Sequence, residues 1–432
     1  MKTDKKLFAE LSKTINSIPI FDTHEHLPAE EDRRSKRLDF SLFFMMYAGT
    51  DLMTSGMTEE EFEIFQQEDT PVEKKWQLFL PYWKKIKNTN YSKVVLNAVK
   101  DIYGYDDITE KNYQELSSKI DAKKKVPFYD EVINKSKVSM VLNHLENVWQ
   151  AKIKIVPRKE FGHLINLDDV ISTCCMEDII ALEKRFKKNI YSLKDLLVCL
   201  DELFEIKSKA GFKGLKTAIA YMRPISFEET TFADADRIFS RLFKLKDHGF
   251  LEKKDFLSKD ELKPLQDFLM HYFIQRSIQH DLPVQIHTGI FELLRNDVSN
   301  SNPAFLCNLF MKYRDCDFDI FHAGFPYSEE LMAICKQFPN VYFDLCWIAD
   351  ISSELYCRTL KLLLEILPST KIFGFGGDYM FIEGMYGGQK IARESVIRVL
   401  YDKINNGYMD FEQAIDIAEK IFYLNPKEVY RW

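Results

Sequence analysis

The chain has 432 residues, with 59 basic and 66 acidic side chains and a formal charge of −7. That balance excludes a generalised nucleic-acid or membrane-surface binder, which needs a basic excess, and directs attention to a small-molecule substrate. No stretch reaches the roughly 18 uninterrupted apolar residues of a membrane span. Met1 to Lys6 leads into an amphipathic pattern rather than a signal-peptide core, so a cytoplasmic protein without membrane contact is expected.

Leu7 to Ile15 reads as a short amphipathic helix feeding a first strand, Ile18-Pro-Ile-Phe-Asp-Thr-His-Glu-His26. Side chains at i and i+2 of a strand share a face, so His24 and His26 can reach one cation. Neutral imidazole is a common ligand for zinc and other borderline transition metals, which makes a metal site the first expectation. Residues 28 to 135 carry helical patterns at Glu59 to Gln67, Val72 to Ile86, Lys93 to Ile102 and Asn112 to Asp121, and no convincing strand. A segment of roughly a hundred residues cannot be a bare loop in a compact protein. It is expected to be a helical insertion after strand one, serving as a lid or as the contact of a homo-oligomer. The chain then divides into 1–27, 28–135 and 136–432.

Beyond residue 136 short apolar runs alternate with helical patterns. The runs are Val138 to Leu142, Lys152 to Val156, Leu215 to Tyr221, Pro283 to His287, Phe318 to His322, Val341 to Leu345 and Lys371 to Phe375. Helices are expected at Leu262 to Gln279, Pro303 to Tyr313, Ser328 to Gln337 and Ser353 to Leu367, with Lys390 to Asn405 and Phe411 to Phe422 closing the fold. A smaller insertion occupies Ser226 to Asp260. Strand alternating with helix implies a parallel sheet, and this many units favours a closed (β/α)8 TIM barrel over an open sheet.

In such a barrel the C-terminal strand ends converge on one mouth. Lys216 on strand four, His287 ending strand five, His322 ending strand six and Asp378 after strand eight place further metal-competent groups there. Four of the nine histidines fall at these positions. On strand four Lys216, Ala218 and Ala220 share one face against Leu215, Thr217 and Ile219, so Lys216 is read as pointing inward. Past the strand ends, Arg223 offers a planar fork for a carboxylate, and Trp347 and Tyr379 offer walls for a substrate pocket. Asp344 ends strand seven. Glu25 is read as facing the helices or a neighbouring strand end, and His144, His163, His248, His271 and His280 as structural or surface residues. The eight cysteines show no paired ligand spacing, and buried reduced thiols are expected for all, the adjacent Cys174 and Cys175 included.

His-x-His after strand one, Lys216 on strand four, His287 and His322 on strands five and six and Asp378 after strand eight together resemble the pattern of the amidohydrolase superfamily. Val284-Gln-Ile-His-Thr-Gly289, Phe321-His-Ala-Gly-Phe-Pro326, Asn340-Val-Tyr-Phe-Asp344 and Tyr386-Gly-Gly-Gln-Lys-Ile-Ala-Arg-Glu394 look most like the amidohydrolase-2 branch, particularly the barrel half of FluG-type fusion proteins. The resemblance implies a divalent metal on His24, His26, His287 and Asp378, zinc first and manganese or iron as alternatives. It also implies a second metal if Lys216 is carboxylated and His322 joins it; with one metal, Lys216 stays an ammonium and His322 acts on the substrate. Asp378 would accept the proton of an activated water and pass it on. The expected reaction is hydrolysis of an amide or γ-glutamyl-type C–N bond. Lys216 favours this over the alternatives, a decarboxylase or a uronate-isomerase-like enzyme, whose relatives usually lack that lysine. A non-catalytic scaffold is the third reading.

Overall fold

The computed structural model describes residues 5–124, 127–144, 158–244, 257–292 and 294–432. Its strands are β1 (Ile20–Glu25), β2 (Val138–His144), β3 (Phe161–Asn166), β4 (Gly214–Thr217), β5 (Val284–His287), β6 (Phe318–Phe321), β7 (Val341–Asp344) and β8 (Ile372–Phe373). They form one sheet in the order of the sequence, and β3 to β7 pair in parallel. Helices separate them: α1 (Lys5–Ile15) precedes β1, and α2 (Glu30–Ser35), α3 (Tyr47–Thr54), α4 (Glu59–Gln66), α5 (Val72–Ile86), α6 (Asn90–Tyr103), α7 (Tyr113–Lys123) and α8 (Phe128–Ser136) follow it. Between β3 and β4 come α9 (Asp168–Ile171), α10 (Met176–Phe186) and α11 (Leu193–Lys209), and then α12 (Phe232–Lys244) and α13 (Lys259–Gln279) before β5. The remainder are α14 (Cys307–Lys312), α15 (Ser328–Gln337), α16 (Ile348–Ile351), α17 (Ser353–Ile366), α18 (Ile382–Asn405), α19 (Phe411–Glu419) and α20 (Asn425–Val429). The fold is a (β/α)8 TIM barrel. Nearly every strand residue is buried, which is why the strands read as continuous apolar runs rather than alternating ones.

Three strands differ from the sequence reading. The third is Phe161–Asn166, where Gly162, His163 and Asn166 dilute the apolar signal; the expected run at Lys152 to Val156 lies outside the described residues, as does His248. β4 stops at Thr217 and a 3-10 turn takes Ile219–Tyr221, so the alternation argued through Ala218 and Ala220 ends early. β8 is only two residues long. Its glycine-rich continuation nevertheless follows β1: Thr23 donates to the Phe375 carbonyl at 3.1 Å, Asp378 N to His24 O at 2.8 Å and His26 N to Tyr379 O at 3.0 Å.

The chain forms two compact units. The first comprises Met1–Val141, Phe291–Asn296 and Asp344–Lys427. Its helices from residue 28 to 136 gather an aromatic core in which Phe44 lies 4.6 Å from Phe79 and Trp76 stacks on Tyr113 at 4.7 Å, centroid to centroid. Such rings bury the largest apolar areas of any side chains, which lets short helices hold together. α6 meets α18 at Gly387, where an added Cβ would lie 2.2 Å from the Val94 carbonyl oxygen. At Gly388 the same atom would lie 2.5 Å from Asp350 Oδ1. The second unit comprises Leu142–Ile290, Asp297–Phe343 and Glu428–Trp432. Inside it Gln285 Nε2 and the Tyr430 hydroxyl both donate to Asp319 Oδ2, at 2.8 and 2.6 Å, satisfying that buried oxygen. Among the described residues no helix is long and apolar enough to cross a membrane.

Candidate metal centre

β1 ends in two imidazoles whose Nε2 atoms lie 3.1 Å apart, and Asp378 Oδ1 lies 3.5 Å from His24 Nε2 and 3.2 Å from His26 Nε2. Ligands about 2.0–2.2 Å from a zinc-like ion, at octahedral to tetrahedral angles, sit about 3.0–3.5 Å apart. The three donors therefore fit one divalent cation, and two imidazoles with a carboxylate suit zinc, manganese or iron. His24 is fully buried while the His26 side chain is 26% exposed, so this group opens to solvent on the His26 side.

The backbone supporting these donors is strained. Asp378 has φ 61° and Trp347 φ 68°, left-handed values that cost a non-glycine residue about 1–3 kcal/mol each and persist where the surroundings impose them. What imposes the conformation at Asp378 is a set of buried carboxyls from β1. Asp22 Oδ1 accepts from Gly377 N and His24 N at 3.2 Å each, and Glu25 Oε2 accepts from Tyr379 N at 2.7 Å. The other oxygens, Asp22 Oδ2 and Glu25 Oε1, are buried, and the two carboxyls hydrogen-bond to each other. One proton between the two carboxyls satisfies both. Burial raises both carboxyls, Asp22 up to about 7 and Glu25 well above the usual carboxylate range, which favours a proton held between them. An added Cβ on Gly377 would lie 2.1 Å from Glu25 Oε1, which is why a glycine precedes Asp378.

Helices of the insertion supply a wall that the sequence reading did not anticipate. The Tyr47 hydroxyl donates to the Asp378 carbonyl, and its ring packs 4.5 Å from Trp347 and 5.0 Å from Tyr379. Tyr91 stacks on Tyr47 at 5.3 Å. Trp347 and Tyr379, expected as pocket walls, are thus nearly fully buried in this cluster. Glu292 is held by Thr50, whose hydroxyl donates to the Glu292 carbonyl at 3.3 Å. Burial first, and then the negative charge of Asp378, push the Glu292 carboxyl up to about 7. Its folded-state value thus exceeds the ordinary one of about 4.5. The metal-free fold binds this proton where the unfolded chain does not, so stability falls as pH rises through that window and is flat above it. Glu292→Gln is expected to flatten that fall, read from urea midpoints of metal-free protein at pH 5 and pH 7.5; identical pH slopes for variant and wild type would count against it.

In the second unit His287 Nε2 lies 2.9 Å from the Ile290 carbonyl, which can only accept, so Nε2 carries the proton. The bare Nδ1 then accepts from His322 Nε2 at 3.1 Å, forming a chain of two imidazoles. His322 is also left-handed, at φ 67°. Lys216 is buried, its Nζ 5.7 Å from the Phe321 ring centroid, and its charge draws down the Asp168 carboxyl that burial raises. Asp168 itself accepts from Thr217 Oγ1 at 2.5 Å and Ala218 N at 2.7 Å. His144, read as structural or surface, ends β2 and faces Asn166 Nδ2 at 3.3 Å, a strand-end position of the kind that carries barrel chemistry. Arg223 is committed to structure: Nη2 donates to Asp267 Oδ1 at 2.6 Å and to Ser226 O at 2.7 Å, and Nη1 to Gln266 Oε1 at 3.0 Å. Asp344 accepts from Cys346 N at 2.8 Å. Buried thiols hold for five of the eight cysteines; Cys174 is exposed, and Cys175 and Cys307 are half-buried.

The family model described as Amidohydrolase matches residues 214–432. Protein fluG of Emericella nidulans is 28% identical over 225 residues, 50% of this chain and 25% of that protein, so the match spans about a quarter of the relative's length. The uronate isomerase of Thermotoga maritima superposes with a TM-score of 0.78 at 15% identity, covering 98% of this chain and 97% of that one. The glucuronate isomerase of Caulobacter crescentus gives 0.79 at 14% identity, covering 100% and 95%. With the family model covering just over half the residues, the chain belongs to the amidohydrolase family and is a metal-dependent barrel enzyme.

Proposed function

We propose that the chain hydrolyses a C–N bond, of the amide or γ-glutamyl type, in a small polar substrate. The supporting observation is Asp378 Oδ1, fixed 3.2 and 3.5 Å from the two imidazoles of the cation site by a strained backbone. A carboxylate there can take the proton of an attacking water and return it to a leaving nitrogen, the two transfers that hydrolysis needs. A divalent ion, zinc first, supplies Lewis-acid polarisation of the scissile carbonyl and acidifies water. His24 and His26 serve as neutral imidazoles, and the open His26 side is the approach for substrate. Lys216 is taken as an ammonium, hence one ion rather than two.

Isomerisation of a sugar acid is the second reading, favoured by the whole-chain likeness to two uronate isomerases; Asp378 would then move a proton between neighbouring carbons. Of the zinc, manganese or iron held by reconstituted protein, about one equivalent is expected to be lost in His24→Ala and His26→Ala. It is expected to release ammonia or amine from a panel of amides and γ-glutamyl conjugates. Ketose formed from a uronate, with no amine released, would replace the first reading by the second. Failure to retain any of the three metals would sink both.

A further inference from the structure

We propose that Cys174, Cys175 and Asp178 form a second cation site, for a soft d10 ion of the zinc or cadmium class. Cys174 Sγ and Cys175 Sγ lie 3.4 and 3.3 Å from the same oxygen, Asp178 Oδ2, and the three donor atoms all fall within 4.8 Å of one another. Metal–sulfur bonds of about 2.3 Å at tetrahedral angles place two sulfurs under 4 Å apart, inside that limit. The oxygen is held in place: Cys174 N and Cys175 N donate to it at 2.9 and 3.2 Å at the start of α10. Cys174 is exposed and Cys175 half-buried, so an ion can enter without opening the fold.

Chemistry selects the class of ion. Thiolate sulfur prefers soft and borderline ions, so magnesium and calcium, which take oxygen ligands, do not compete. Each thiol in the metal-free state has its proton directed at Asp178. Binding a divalent ion releases both thiol protons to solvent, forms two metal–sulfur bonds and one metal–oxygen bond, and leaves no oxidant or reductant to supply. The donor set differs in kind from His24, His26 and Asp378, since nitrogen and oxygen ligands give cadmium no thiolate charge-transfer absorption.

The test is a cadmium chloride titration of the zinc-loaded, fully reduced protein, followed by the near-ultraviolet thiolate-to-cadmium band. One equivalent of cadmium is expected to develop the band. Cys174→Ser with Cys175→Ser is expected to abolish it, and Asp178→Asn, whose amide oxygen still caps α10, to weaken it about 10-fold or more. Unchanged circular dichroism in the variants separates loss of ligands from loss of fold. No band, or a band that survives in the double serine variant, would overturn the site. So would a reduced protein that takes up no cadmium yet forms a Cys174–Cys175 disulfide on oxidation, which assigns the pair to redox chemistry.

Discussion

Asp378→Asn is expected to cut turnover by about 10²–10⁴-fold, the range for loss of a positioned acid–base group, and to make the metal-free protein more stable. The opposite signs come from the same residue. Asp378 places a negative charge beside Asp22, Glu25 and Glu292, raising the cost of ionising each, in a left-handed conformation that only the surrounding hydrogen bonds sustain. Asparagine removes the charge and tolerates the left-handed region better than most residues. The gain is expected on the order of 1 kcal/mol, the usual size of a single-residue effect. Turnover and urea denaturation of metal-free protein at pH 7.5 measure the two halves. A variant within tenfold of wild-type turnover, or one less stable than wild type without metal, would contradict the assignment of Asp378 as both ligand and base.

Arg33→Ala is expected to cost about 3–5 kcal/mol, the range for stranding one partner of a buried ion pair. Arg33 on α2 grips Glu383 on α18 with both nitrogens, Nη1 to Oε2 at 3.0 Å and Nη2 to Oε1 at 2.6 Å, and both side chains are at most 5% exposed. The Tyr103 hydroxyl adds a bond to Glu383 Oε1 at 2.7 Å, and the Phe128 ring lies 4.8 Å from the guanidinium carbon. Alanine leaves a carboxylate in the interior with one hydroxyl for company. A paired Arg33→Met, Glu383→Leu variant removes both charges together and is expected to recover most of the loss. Denaturant midpoints of the three proteins decide it: a single variant within 1 kcal/mol of wild type would mean that Glu383 finds another partner.

Much of this was legible in the sequence, for a physical reason. A barrel strand is apolar until its last residues, so His24, His287 and Asp378 stand out at the ends of runs that otherwise exclude polar groups. β3 was lost because Gly162 and His163 break that contrast. Tyr47, Tyr91 and Glu292 were illegible for a different reason. An aromatic residue on an amphipathic helix carries the same pattern whether it fills a core or walls a site, and only the fold tells which. Arg223 shows the converse: its fork looked free for substrate, but Asp267, 44 residues on, already occupies it. The separation of Asp22 and Glu25 around His24 looked like ordinary strand sequence, and the proton they share becomes visible only once both are seen to be buried.

The glycines of α18 give the helical insertion its character. With no room for a methyl group between Gly387 and Val94, α6 rests directly on the backbone of α18, and its Tyr91 is carried into the cluster beside Asp378. At this point the insertion is keyed to the barrel by backbone rather than by exchangeable side chains, so any side chain placed at position 387 would have to push α6, and Tyr91 with it, away from α18.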